Sequence, residues 1–312
     1  MLTADKLFKK IMVPLDGSKL SENALVPAVA LAQQARSELI LISVPVMKHV
    51  MVMPEYSGYA TMLPEQSLED SRHDFKEYLA HLREKRIPDQ VAVRIEVIDG
   101  DEASVIVDRA FAEQVDLIVM ATHGRSGLSR WMMGSVTEKV LQQSPCPVLV
   151  VRNDDPMERV LITLDGSAAS EAALEPGLAL AQAMGAQVSL LQVQSSQDHV
   201  TPREIEQLNA VEKGLGMRLQ DGVYYAAEAY LDYLKTRYDP LLTEPLTTAV
   251  INGSPARCII QYVEENEIDL VVMATHGRTG LQRWLYGSVT EKVLRGAHCA
   301  KFVMRPPQHL LS

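Results

Sequence analysis

A short glycine-bounded loop, present twice in the chain, carries the residue types best suited to chemistry. Its first copy starts with Ala121-Thr122-His123-Gly124, continues for nine residues and ends at Gly134-Ser135, where a helical pattern begins. Glycine lets a ligand approach the backbone closely, and the N–H groups and dipole of a helix start favour an anion. Ser135 adds a hydroxyl donor, and a positive charge could come from Arg125 or Arg130. The pattern is typical of a phosphate site.

The second copy repeats this arrangement with Gly277, Arg278, Arg283, Gly287 and Ser288. A purely structural explanation stays open, because the segment Ser-Val-Thr-Glu that begins at Ser135 also has the spacing of a helix-capping box. Capping does not require the Thr-His-Gly-Arg and Arg-Trp positions that both copies share, and this favours the phosphate. The two copies are homologous, so their agreement counts as one observation.

Asp16 and Asp165 end the first predicted strand of each half, and both are followed by Gly-Ser. A carboxylate at this edge could bind a ribose hydroxyl, an adenine amine or a magnesium ion. It could equally form an Asx turn or cap the helix that follows. The sequence leaves these alternatives open.

Other reactive side chains give weaker signals. His123 and His276 could act as general bases, but hydrogen bonding within the loop is the favoured interpretation. We expect Cys146 and Cys299 to be small buried hydrophobic side chains. The sequence has no GxxxxGK[ST], GxGxxG, HExxH or GxSxG motif, which argues against P-loop NTPases, Rossmann dinucleotide sites, zincins and α/β-hydrolases.

The chain is a tandem duplication. Residues 116–141 and 269–294 are identical at 21 of 26 positions, and the Leu-Asp-Gly-Ser segments at 15–18 and 164–167 precede them in the same order. A fixed internal offset is the mark of a repeated domain. We therefore predict two domains, residues 1–153 and 157–312.

Each half alternates strand-like and helix-like segments, which predicts βαβ units and a parallel sheet. The predicted fold class is α/β: two tandem open doubly wound domains, each a five-stranded parallel sheet (order 3-2-1-4-5) with helices on both faces. Such folds bind ligands at the carboxyl ends of their strands. We also expect a single helix over residues 20–35, an apolar loop over 45–64 and two helical pieces with a break within 201–239. Ser254 is expected to cap the helix after the third strand of the second half.

Composition bounds the function classes. The 312 residues are 47% hydrophobic and 22% charged, with a net charge of −10, so wholesale disorder is excluded. An acidic chain is a poor match for DNA or an anionic membrane surface. The three cysteines form no CxxC pair, which disfavours a disulfide framework or a structural zinc site. With no signal-peptide pattern and no apolar run near 18 residues, we expect a cytoplasmic protein without a membrane span.

Both halves resemble the universal stress protein domain, and the whole chain resembles a tandem member of the ATP-binding type. The resemblance rests on Ala121-x2-Gly124-x9-Gly134-Ser135, on its repeat Ala274-x2-Gly277-x9-Gly287-Ser288, and on the opening Val-Pro-Leu-Asp-Gly-Ser. It implies an adenine nucleotide, ATP with Mg²⁺, held at the carboxyl edge of each sheet.

The resemblance implies a role for each matching position. Asp16 and Asp165 would lie near the nucleoside and its metal ion, and backbone atoms of Val44 and Val193 would meet the adenine. The remaining positions line the adenine or hold ribose and phosphates; in the first half they are Pro14, Leu15, Met120, Ala121, Gly124, Arg125, Gly134, Ser135 and Val136, and in the second half Thr163, Leu164, Met273, Ala274, Gly277, Arg278, Gly287, Ser288 and Val289.

Two positions depart from the family pattern. Ala121 and Ala274 replace the first glycine, and their methyl groups would crowd a nucleotide if the position needs a positive φ. Thr163 stands where the first half has Pro14. Neither change removes the phosphate loop.

The family resemblance also implies that the last strands, Val148–Val151 and residues 302–305, pair as an intramolecular pseudo-dimer; a further homodimer is a separate question. The expected function is a regulatory ATP-binding protein of the stress response. A slow ATPase or phosphoryl-transfer enzyme, and a nucleotide-free interaction scaffold, are the alternatives.

Overall fold

Ten strands form a single sheet that runs through both halves of the molecule. The computed structural model describes residues 4–45, 65–122, 133–195, 215–275, 287–307 and 310. Its strands are β1 (Lys10–Pro14), β2 (Glu38–Ser43), β3 (Ala92–Val97), β4 (Leu117–Ala121), β5 (Val148–Val151), β6 (Arg159–Leu164), β7 (Gln187–Gln194), β8 (Thr247–Asn252), β9 (Leu270–Ala274) and β10 (Ala300–Met304). The sheet order is β3-β2-β1-β4-β5-β10-β9-β6-β7-β8. Within each half the order is 3-2-1-4-5 and every pairing is parallel, as predicted.

Helices cover both faces of the sheet. In the described residues they are α1 (Ala4–Leu7), α2 (Lys19–Glu22), α3 (Leu25–Ala35), α4 (Glu65–Arg86), α5 (Glu102–Ala112), α6 (Ser135–Gln143), α7 (Ala168–Glu171), α8 (Leu174–Met184), α9 (Leu215–Tyr238), α10 (Pro255–Glu265) and α11 (Ser288–Gly296). Side chains of α3, α4, α8 and α9 share one core with Leu39 and Leu41, and those of α5, α6, α10 and α11 share the other with Ile40 and Ile42. Alternate residues of one strand therefore feed the two layers, which explains the continuously apolar strands.

The single helix predicted over residues 20–35 is wrong, because the segment divides into α2 and α3. Asn23 N–H and Ala24 N–H bond to carbonyls three residues back, on Leu20 and Ser21, so the chain tightens between the two helices. Pro27, in the first turn of α3, has no N–H to continue an α-helical ladder across this point. The second half has the same break between α7 and α8, with Pro176 in the matching position.

The break expected within residues 201–239 is absent from the part the structure describes, where α9 is continuous from Leu215 to Tyr238. A glycine inside a helix costs about 1 kcal/mol. Burial of Ala227, Leu231 and Leu234 against the sheet outweighs that cost at Gly222. Residues 46–64 and 196–214, which include most of the expected apolar loop, lie outside the described residues.

The two halves are joined by antiparallel pairing of β5 with β10, which confirms the predicted contact between the last strands. Val150 is opposite Lys301, Leu149 opposite Phe302, and Val148 opposite Val303. Leu149 and Phe302 are equivalent positions of the two repeats, so a pseudo-two-fold axis passes through this pair. Both side chains are fully buried. The seam is therefore part of the hydrophobic core.

Lys301 is a charged side chain buried in this seam. It is 2% exposed, and its Nζ donates to the Ala297 carbonyl at the end of α11 at 2.8 Å. Burial lowers the pKa of Lys301 to about 8, and the nearby Arg152 acts in the same direction.

No helix in the described residues is long and apolar enough to cross a membrane.

Replacing the aromatic ring on the axis should weaken the whole seam. We expect Phe302→Ala to lower the free energy of unfolding by about 3–5 kcal/mol, because it opens a cavity beside Leu149 and removes an edge-to-face contact with Phe8. Chemical denaturation measures this loss. Phe111→Ala, at a side chain that is 75% exposed, is the control and should change stability by less than about 0.5 kcal/mol. Equal effects of the two changes would contradict a buried seam.

Lys301 predicts a specific pH dependence of stability. Its pKa is about 8 in the folded protein against 10.5 for an ordinary lysine, so between these values the unfolded chain binds more protons and the free energy of unfolding rises with pH. We expect the wild type to gain about 3 kcal/mol relative to Lys301→Met across this window. Denaturation of both proteins from pH 7 to 10.5 tests this. Cys299 interacts with Lys301, so the comparison is made in a Cys299→Ala background, where the remaining titrating groups cancel in the difference. A pH-independent difference would show that the ammonium is not buried.

Candidate functional site

The start of α6 is fastened directly to the end of β4. Gly134 N–H donates to the Thr122 carbonyl at 2.7 Å, and the buried Thr137 hydroxyl donates to the Ala121 carbonyl at 3.0 Å. These bonds bring the two ends of the glycine-bounded loop together. They also aim the first turn of α6 at the carboxyl edge of the sheet.

The second half has the same closure. Gly287 N–H donates to the Thr275 carbonyl at 2.6 Å, and the Thr290 hydroxyl donates to the Ala274 carbonyl at 3.0 Å. Sequence reasoning missed both threonines as positioning residues. The signal was present, since Ser-Val-Thr-Glu-Lys-Val-Leu is identical in the two copies. The predicted site residues between the closures lie outside the described residues; they are Gly124, Arg125, Gly277 and Arg278, together with His123 and His276.

The capping-box interpretation of Ser135 is wrong. Gly134 is the N-cap of α6, with an extended backbone (φ −62°, ψ 146°), and no side chain caps it. Ser135 is instead the first helical residue and is exposed. The first bond of the helical ladder runs from Glu138 N–H to the Gly134 carbonyl at 2.9 Å, so the N–H groups of the preceding turn have no acceptor within the helix. α11 begins in the same way at Gly287.

Ser254 occupies the predicted N-cap of α10, but its side chain makes no capping bond. In the first half the equivalent residue, Asp101, accepts from Ser104 N–H and caps α5. The following Pro255 supplies the fixed φ of the first helical position, so α10 starts without a side-chain cap.

Asp16 builds the turn that follows β1. Its Oδ1 accepts from Ser18 N–H at 3.0 Å and from the Ser18 hydroxyl at 2.6 Å, while Gly17 takes a left-handed φ of 82°. The Ser18 hydroxyl oxygen in turn accepts from Ser21 N–H and caps α2. The Asx-turn interpretation is confirmed. A carboxylate accepts up to about four hydrogen bonds, so this role is compatible with ligand binding.

Asp165 repeats this turn with the same distances, 3.0 and 2.6 Å, to the backbone and hydroxyl of Ser167. β1 is paired with β4, and β6 with β9. Each Asp-Gly-Ser turn therefore lies next to the start of the glycine-bounded loop of the same half, because the two segments follow neighbouring strands. Because β5 and β10 are antiparallel, the strands of the two halves point in opposite directions. The site residues of the first half and those of the second half therefore lie at opposite ends of the strands.

The remaining predicted residues lie at the ends of the same strands. Leu15 and Leu164 are buried, and their side chains belong to the core under α3 and α8, so only their backbones face the edge. Pro14 ends β1, whereas the Thr163 hydroxyl contacts the Val272 carbonyl at 3.3 Å. The second site therefore differs from the first in a side chain that is already hydrogen-bonded.

Val44 and Val193 do not have equivalent surroundings. Val44 follows the end of β2 and is buried, whereas Val193 is half-buried within β7. β7 is longer because Val193 and Gln194 continue the ladder opposite Ile251 and Asn252. The predicted adenine-facing backbone at Val193 is therefore part of a strand.

Ala121 and Ala274 end β4 and β9 as ordinary strand residues and are buried. Among the described non-glycine residues, positive φ values occur at Arg36, Gln114 and Glu267. The alanines therefore need no glycine-like conformation. Met120 and Met273, one residue earlier, point into the core beneath α5 and α10.

A tyrosine lies close to a glutamate beside each Asp-Gly-Ser turn, and sequence reasoning did not find either tyrosine. Tyr230 on α9 donates to Glu171 at 2.9 Å. In the first half, burial and the Glu22 carboxylate raise the pKa of Tyr78. Glu22 pairs instead with Lys19 at 2.9 Å. Tyr78 follows Glu22 by 56 residues and Tyr230 follows Glu171 by 59, and this unequal spacing conceals the correspondence in the sequence.

Cys146 and Cys299, which precede β5 and β10, are not reactive thiolates. Burial raises the pKa of Cys146 to about 11 and also raises that of Cys299. Both thiols are therefore protonated near neutral pH, as a small hydrophobic role requires. Among the described residues no group of three or more His, Cys, Asp or Glu side chains could hold a metal ion.

Comparison with known proteins decides the family. The model of the universal stress protein family matches the chain twice, over residues 7–152 and 157–305. The chain belongs to the universal stress protein family. Both copies of the loop and both Asp turns fall inside these matches.

Individual relatives of the family match one half or the whole chain. Universal stress protein YxiE of Bacillus subtilis is 35% identical over 47% of this chain and 100% of its own length. The universal stress protein E homolog of Haemophilus influenzae is 26% identical over 96% of this chain and 98% of its own. A crystal structure of a universal stress protein from Archaeoglobus fulgidus has a TM-score of 0.66 at 19% identity, covers 95% of this chain and 98% of that one, and shares the fold.

The Asp turn can be tested apart from any ligand. Asp16→Asn keeps an oxygen that accepts from Ser18, so we expect the free energy of unfolding to stay within about 0.5 kcal/mol of the wild type. Asp16→Ala removes the acceptor and should cost about 1–2 kcal/mol. Denaturation midpoints of the two variants provide the measurement. If both variants are equally destabilised, the negative charge rather than the turn holds this segment.

Proposed function

We propose that the protein is a cytoplasmic regulator of the stress response that holds Mg-ATP at the carboxyl edge of each half. The observation that carries the proposal is the start of α6, repeated in α11. A glycine is the N-cap, the following serine is exposed, and the preceding strand end is bonded to the helix. Such a helix start offers N–H groups and a positive dipole to a phosphate.

Each part of the nucleotide has a group of matching chemistry. Phosphate oxygens would accept from the first-turn N–H groups and from the hydroxyls of Ser135 and Ser288. The ribose and the metal ion would lie beside Asp16 and Asp165, since Mg²⁺ is commonly held by one or two carboxylates together with phosphate oxygens. The strand ends near Val44 and Val193 would receive the adenine. When bound, Mg²⁺ would neutralise part of the phosphate charge.

Regulation rather than rapid turnover follows from the chemistry of this edge. Asp16 and Asp165 each hold the backbone and hydroxyl of a serine. This structural role in the turn argues against a carboxylate that acts as a general base. A bound nucleotide would therefore be held rather than consumed, and a partner protein would detect its presence at this edge.

The decisive experiment counts nucleotides. Purified protein is denatured, any released nucleotide is identified by chromatography, and the stripped protein is titrated with Mg-ATP by calorimetry. We expect two sites per chain. Asp16→Asn and Asp165→Asn should each weaken one site at least about tenfold, the loss of one charged contact, while leaving the turns intact.

Asp116→Asn is the matched control for these variants. It makes the same change at the amino end of β4, where the carboxylate accepts from Lys9 and Lys10 N–H, and should leave binding unchanged. Folded protein that binds no adenine nucleotide would overturn the proposal and favour a scaffold. Repeated phosphate release at each site, lost in the Asp16 and Asp165 variants, would instead indicate an ATPase.

A further inference from the structure

The two outer ends of the sheet differ sharply in charge. In the first half Arg94 on β3 pairs with Glu38 at 3.3 Å, Glu96 at 3.4 Å and Glu113 at 2.6 Å. Arg109 on α5 pairs with Glu96 at 2.7 Å and Glu113 at 2.9 Å. The edge strand β3 and the helix above it are therefore covered by one connected ion-pair network.

The second half has lost this network. The repeats align through Gly100 and Gly253, which occupy matching turns with φ of 149° and 153°. The positions equivalent to Glu38, Arg94, Glu96, Arg109 and Glu113 are, in that order, Gln187, Thr247, Ala249, Tyr262 and Asn266. All five charged residues are replaced by uncharged ones, although the phosphate-type loops of the two halves are nearly identical.

β8 is consequently an edge strand without charge. Its sequence is Thr-Thr-Ala-Val-Ile-Asn, and it is the last strand on its side of the described sheet. An edge strand presents unpaired N–H and C=O groups, and proteins usually protect such edges with charged side chains. β3 has that protection in Arg94 and Glu96, whereas β8 does not.

Both faces of β8 are partly apolar, which favours burial of the edge. Ala249 and Ile251 pack with Ile260 and Tyr262 of α10 in one core layer. Val250 packs into the other layer, where the Tyr224 hydroxyl of α9 lies 3.5 Å from its carbonyl. The strand is half-buried rather than buried along most of its length. Additional apolar area remains to be covered at this corner.

A second copy of the chain is the occupant that the fold itself suggests. The seam between β5 and β10 shows that edge strands of this domain pair antiparallel about a two-fold axis. An uncharged strand is complementary to itself under the same operation. The net charge of −10 repels two copies in general, so contact is favoured where the edge is uncharged. Pairing of β8 with β8 uses the same strand in both copies, and the ion pairs on β3 keep the opposite edge from adding a further copy, so the assembly closes at two copies.

We propose that β8 is a homodimerisation edge, pairing antiparallel with β8 of a second copy so that the two sheets become continuous. The charge network on β3 limits the assembly to a dimer. The inference is independent of nucleotide binding, since it rests on the edge strands alone.

Sedimentation equilibrium of the full chain across the micromolar range tests the proposal. The wild type is expected to dimerise. Asn252→Lys places a cation on an exposed residue of the edge and should weaken dimerisation at least about tenfold, because a lysine on an edge strand opposes the addition of another strand. Gln90→Lys, the same kind of change at an exposed residue beside β3, is the control and should leave dimerisation unchanged. Thr247→Arg/Ala249→Glu, which copies the charges of β3, should abolish it.

The reverse exchange gives an independent measurement. Arg94→Thr/Glu96→Ala leaves β3 with the residues of β8, and should produce oligomers that grow beyond two copies with concentration. Circular dichroism confirms that each variant is folded. A monomeric wild type, or a dimer that is insensitive to Asn252→Lys in a folded variant, would overturn the proposal. A monomer that instead pairs with an added extended peptide at β8 would overturn the homodimer and identify a peptide-binding edge.

Discussion

The antiparallel pairing of β5 with β10 determines where everything else in the molecule lies. Leu149 and Phe302 are opposite each other on the pseudo-two-fold axis and fully buried, so neither half has a free edge at its last strand. Residues of both halves enter the two core layers together. Since the strands of the two halves run in opposite directions, the carboxyl ends of the first half's strands point away from those of the second half.

The candidate site depends on a second constraint, which is the attachment of each glycine-bounded loop to the strand before it. The Thr137 and Thr290 hydroxyls donate to the carbonyls of the final residues of β4 and β9. The N–H groups of Gly134 and Gly287 donate to the carbonyl of the residue that follows each strand. A threonine at this position uses its hydroxyl inside the fold, which leaves the serine at the start of the helix exposed. The local geometry thus separates a structural hydroxyl from one available to a ligand.

Much of this architecture follows from the sequence, because apolar periodicity and the internal repeat are strong signals. The α/β class and the doubly wound organisation of each half were predictable from them, whereas the pairing of the last strands was implied by the resemblance to a known family. The break at Asn23 was missed because the apolar pattern continues through it, although Pro27, which suits the first turn of a new helix, was a signal for it. The N-cap assignment failed because a Ser-x-x-Glu spacing does not distinguish an N-cap serine from a first helical residue.

Covalent linkage of the two halves has a consequence for partner exchange. Domains that pair through the last strand as separate chains associate in proportion to concentration and can exchange with related chains. Here β5 and β10 are tethered, so their effective concentration is fixed by the connecting segment rather than by expression level. The last-strand edges are permanently occupied by each other. A single-domain member of the family would therefore have to exceed this effective concentration before it could compete for the same edge.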